Sequence, residues 1–123
     1  MKKENRDFYS GFEGEGEIEF IRLCKSGDKD IIRIWDGYFD DVMEKFEPVE
    51  NGWTGLAYYY NLCEGWNTES PWKIPDVHDA LKQLESIKNK NMRYEKSHEV
   101  LAEICNLLVE AVKQNEEILI ADE

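Results

Sequence analysis

The residues of this chain best placed to do chemistry are carboxylates. Asp36, Asp40, Asp41 and Glu44 crowd into one short stretch. On a helix, Asp36 and Asp40 stand one turn apart on the same side, with Asp41 and Glu44 adjoining. Oxygen donors grouped in this way suit Mg²⁺, which bridges carboxylates to the phosphates of a substrate. One expectation is therefore a small all-α, Mg-dependent nucleotide or diphosphate hydrolase with these four as metal ligands. The leading expectation involves no metal, no cofactor and no catalysis: a fixed acidic face attracts and orients a basic protein partner. Other sources of chemistry are weaker. His78 lies between Asp76 and Asp79, and His98 near Glu95 and Glu99, at spacings that converge on no common point. Cys24, Cys63 and Cys105 form no C-x-x-C pair, and each follows Leu or Ile. They read as small core hydrophobes of a reduced compartment, not as a disulfide framework or a zinc site. The Gly-rich GFEGEG stretch at 11–16 has no lysine, and its glutamates would repel a phosphate.

Aromatic residues gather close by. Trp53, Tyr58, Tyr59, Tyr60, Trp66 and Trp72 share a segment without a single basic residue. A helix cannot bury Tyr58 on the same narrow face as Tyr59 and Tyr60, so a ring is expected at the surface. Trp66 and Trp72 fall in a stretch rich in Gly, Asn, Thr, Ser and Pro, which reads as a loop. Tryptophan and tyrosine are the commonest anchors of protein interfaces. The expected partner-binding set is thus Asp36, Asp40, Asp41, Glu44, Tyr58, Glu64, Trp66 and Trp72.

The elements that must position these residues are constrained by composition. A length of 123 residues suits one domain, 1–123, and 41% hydrophobic residues are too many for a disordered acidic tail. The net charge of −12 argues against a nucleic-acid binder that works by neutralising phosphates. The longest aliphatic run, Ile118–Ala121, is far too short for a membrane span, and no apolar segment follows the basic start, so a cytoplasmic protein is expected. Residues 1–17, with three glycines among glutamates, read as a loose N-terminal segment. Apolar residues recur at three and four from Ile31 to Phe46, giving an amphipathic helix between Asp28 and Pro48. Further helices are expected over Trp53–Cys63, from Asp76 to Ile87, and from Tyr94 to Val112. The fold expected is an all-α bundle of four to five helices, with a minor strand pair, 17–22 and 117–121, as the alternative.

Three stretches, GWTGLAYYYNLCEGW at 52–66, PWKIPD at 71–76 and WDGYFDD at 35–41, resemble in style the immunity proteins of bacterial polymorphic-toxin and contact-dependent growth inhibition systems. The resemblance implies a cytoplasmic, non-catalytic protein that binds one cognate toxin domain and blocks it. With this charge the toxin is expected to be basic, a nuclease above all, whose phosphate-binding surface the carboxylates would occupy. A DNA-mimicking inhibitor of a restriction enzyme is a third, weaker expectation.

Overall fold

The computed structural model describes residues 2–50 and 52–122; Met1, Asn51 and Glu123 lie outside the described residues. The fold is α+β, not the expected all-α bundle. Strands β1 (Lys2–Phe8), β2 (Glu17–Leu23), β3 (Lys29–Trp35), β4 (Trp72–Lys73) and β5 (Glu117–Asp122) form one mixed sheet in the order β1-β3-β2-β5-β4. Helices α1 (Asp36–Met43), α2 (Gly55–Asn61), α3 (Val77–Glu85) and α4 (Lys96–Gln114) complete it, with a 3₁₀ turn at Gly65–Asn67.

The largest correction concerns residues 29–46, expected to be one helix. Ile32 and Ile34 alternate as a strand requires, and Phe39, Val42, Met43 and Phe46 then continue at helical spacing. Joined end to end, the two periods imitate one longer helix. Three isoleucines favour the strand, because β-branched side chains pack well on a pleated surface. Pairing decides the matter: Ile18 stands opposite Ile34, and Phe20 opposite Ile32, across antiparallel β2 and β3. Gly27 takes φ +94 in the hairpin turn between β2 and β3, where its N–H donates to the carbonyl of Cys24. The strand pair held as the alternative is present as β2 and β5, antiparallel from Ile18–Asp122 to Leu23–Glu117.

The N-terminal segment is likewise not loose. Residues 2–8 pair in parallel with β3 at the sheet edge. The following turn is pinned by a small aromatic cluster. Phe12 stacks on Trp35 at 4.0 Å, Tyr38 and Tyr94 meet that indole edge-on, and the Tyr9 hydroxyl donates to the Glu15 carbonyl. Gly37 is required here, since a Cβ at that position would run into the Trp35 ring.

One face of the sheet carries the core. Ile18, Phe20, Ile32, Ile34, Ile118 and Ile120 pack with Val100, Leu101, Ile104 and Leu108 of α4 and with Phe39 and Val42 of α1. Each such side chain contributes roughly 2 kcal/mol by leaving water. The opposite face bears Ile31 and Ala121, buried but outside that cluster, and Arg33, which holds Glu4, Glu17 and Glu19 together. No helix among the described residues is long and apolar enough to cross a membrane.

Candidate functional site

Helix α1 begins directly after β3, so its first residue, Asp36, sits where the sheet ends. The Asp36 N–H donates to the Gly16 carbonyl at 3.1 Å, tying it to the start of β2. A side chain at Gly16 would displace the Asp36 carboxylate from its present position. One turn on, Asp40 points the same way, and its carboxylate accepts a hydrogen bond from Tyr60 of α2 at 3.0 Å. The end of β5 brings Asp122 to the same place.

Together these residues surround a cleft of about 390 Å³, with Asn61 and Asn67 on its rim and Ile18, Phe39 and Trp66 as its apolar walls. Among the described residues, no lysine, arginine or histidine lines it. Partial burial raises the Asp36 carboxyl to about 6, helped by repulsion from Asp122, Asp40 and Glu17. Burial also lifts the Tyr60 phenol well above its ordinary range, and the Asp40 carboxylate adds to that. Among the described residues, no hydrogen bond or ion pair reaches the Asp36 carboxylate. A cleft with such chemistry accepts a cation: the charge would lower the mutual repulsion of the acids, and the apolar walls would take an alkyl stem.

The expected site residues divide. Asp36 and Asp40 meet in the cleft as their spacing requires. Asp41 does not join them. It is 1% exposed and accepts the N–H groups of Arg93 and Tyr94 at 3.0 and 2.9 Å, with Lys45 Nζ 3.2 Å away. Burial alone would raise this carboxyl, but the nearby Ser97 hydroxyl, the hydrogen bonds from the Tyr94 and Arg93 N–H groups and the Lys45 ammonium outweigh it and hold it down at about 2. Its role is to fasten α1 to the start of α4, and a partner cannot reach it. Glu44 is exposed and faces Arg93 at 3.4 Å. Trp66, expected as an exposed anchor, is 2% exposed and packs edge-to-face on Phe39. Trp72 is half-buried between Trp66 and Tyr59. Tyr58 is exposed, and its hydroxyl donates to Glu64.

Asp122 and Tyr60 were missed as site residues. The alternation Ile118, Ile120 was the signal for a strand that delivers Asp122. The four carboxylates proposed as Mg²⁺ ligands are not gathered into one shell, since Asp41 and Glu44 turn towards residues 93–94. Among the described residues, no group of three or more His, Cys, Asp or Glu side chains is arranged to hold a metal ion. A larger recess of about 500 Å³ lies between the start of α3 and the end of α4, but it mixes Lys73 with Asp76 and Glu116 and offers no consistent charge. No protein-family model, curated protein or solved structure matches the chain.

Proposed function

We propose that this chain is a non-catalytic, acidic binding protein of the immunity type, which neutralises a cognate basic toxin domain in the cytoplasm. The observation supporting this reading is the cleft: Asp36, Asp40 and Asp122 border it and, among the described residues, no basic side chain lines it and none pairs with Asp36. The Asp36 carboxylate, beside apolar walls and neighbouring acids, suits an arginine or lysine from a partner, and the overall charge of −12 steers a basic domain towards it. A nuclease is the favoured toxin class, because its phosphate-binding surface is already cationic. Three thiols spread over the chain, with no disulfide among them, suit a reducing compartment.

The test is co-expression with the basic domain encoded by the neighbouring gene, followed by kinetic measurement of the complex. Asp36→Lys with Asp40→Lys is expected to slow association about tenfold or more and to flatten its salt dependence. Asp41 is left intact because it is structural. If the neighbouring product is neither bound nor neutralised, or if the double reversal leaves association unchanged, the reading fails.

A further inference from the structure

Helix α2 has a second recess on its other side. There Trp53, Tyr58, Tyr59 and Pro75 border a groove of about 350 Å³ between α2 and α3, with Asp76 and Asp79 at its lip. We propose that this groove is a second recognition site, which takes an arginine side chain of the basic partner. The inference rests on the reading above and adds to it a distinct contact.

Three features lead to an arginine. First, the walls are aromatic and accessible: Tyr58 is 36% exposed, and Trp53 and Tyr59 are partly so. A planar guanidinium stacks on such rings better than an ammonium does. Second, among the described residues the only charged groups lining the groove are the acids Asp76 and Asp79. Third, those acids have capacity left. Asp76 uses Oδ1 to accept the Asp79 N–H at 3.0 Å, capping α3, which leaves its other oxygen open. No hydrogen bond or ion pair reaches the Asp79 carboxylate among the described residues. The two carboxylates also offset the positive end of α3, which would otherwise repel a cation.

The same helix therefore serves two sites. Tyr60 and Asn61 border the acidic cleft, while Tyr58 and Tyr59 border the aromatic groove. This gives the YYY run at 58–60 a use that core packing alone does not.

The probe is N-acetyl-arginine methylamide, titrated into the full chain by two-dimensional NMR, with the citrulline analogue as a neutral isostere of the same shape. The arginine compound is expected to shift the Trp53 indole and the Tyr58 and Tyr59 signals saturably, and to bind about fivefold tighter than citrulline. Asp76→Asn with Asp79→Asn should remove that preference, and asparagine at 76 preserves the helix cap. Equal binding of the two compounds, no saturable shift, or shifts centred on Asp36 and Asp40 would each overturn the inference. If the probe fails while the protein complex still depends on Asp36 and Asp40, only the groove is lost. If the probe binds but no basic protein partner does, the groove stands and the immunity reading falls.

Discussion

Asp36 and Asp41 lie on the same short helix, yet their surroundings have opposite effects. The Asp41 side of α1 is closed by residues 93–97, where the Arg93 and Tyr94 amides donate to its carboxylate and, with Lys45, hold it at about 2. The Asp36 side opens on a cleft where partial burial, helped by repulsion from Asp122, Asp40 and Glu17, pushes its carboxyl up to about 6. One region has matched a charge with donors. The other has gathered like charges around the Asp36 carboxylate, which no hydrogen bond or ion pair reaches among the described residues. Stability explains the first arrangement and opposes the second, which is why the second is the better candidate for function.

The comparison is broken most directly at Asp41. Replacing it with alanine strands two buried N–H groups and the Lys45 ammonium, at a cost of about 3 kcal/mol. Urea denaturation should show this as a large fall in midpoint with an unchanged slope. A loss below about 1 kcal/mol would mean that water takes over the carboxylate's bonds, and the contrast would dissolve.

A second break uses acid. The folded-state carboxyl of Asp41, at about 2, lies below its ordinary 3.8, so the unfolded chain binds more protons between those values. Its contribution is full above pH 4 and disappears as pH falls towards 2, amounting to roughly 2 kcal/mol. Stability curves of the wild type and Asp41→Asn should therefore converge over that window. Parallel curves would contradict the assignment.

Asp36 carries the opposite sign. Its folded carboxyl, at about 6, lies above 3.8, so ionisation costs stability as pH rises between the two. Asp36→Asn should stabilise the protein at pH 7 by about 1 kcal/mol, after allowance for solvent screening, with the gain gone by pH 4. The same change should weaken binding of a basic partner, which is the trade between stability and activity expected of a functional residue. Carbon-detected NMR of the Asp36 carboxyl gives a direct check, and a midpoint below 4.5 would remove the basis for the cleft.

Legibility from sequence followed the same division. Helices α3 and α4 were readable because a clear apolar stripe runs along each, from Val77 to Leu84 and from Leu101 to Val112. The i,i+4 spacing of Asp36 and Asp40 likewise predicted a shared side, and both border one cleft. β1 was illegible, because KKENRDF is a charged edge strand whose order depends on pairing with β3. Residues 29–46 were misread because a strand's alternation ran without a break into a helix's period. The burial of Asp41 and Trp66 depends on segments more than twenty residues away in the chain, the 93–97 turn and Phe39, so no local pattern could mark them. Asp122 was hidden for the same reason, since only the sheet carries it to α1.

The smallest expected effect sharpens the contrast by supplying its midpoint. Glu44 belongs to the same acidic run, but its side chain is 45% exposed and lies 3.4 Å from an Arg93 that is 64% exposed. A surface pair of this kind gains little Coulomb energy in water and costs side-chain freedom. Glu44→Gln should therefore change stability by less than about 0.5 kcal/mol. Measured beside the other two, it yields three acids of one sequence cluster with three signs of effect: loss at 41, gain at 36, neither at 44. A loss at Glu44 as large as that at Asp41 would show that α1 responds to its total charge. In that case the local partners of each carboxylate would no longer explain what each one does.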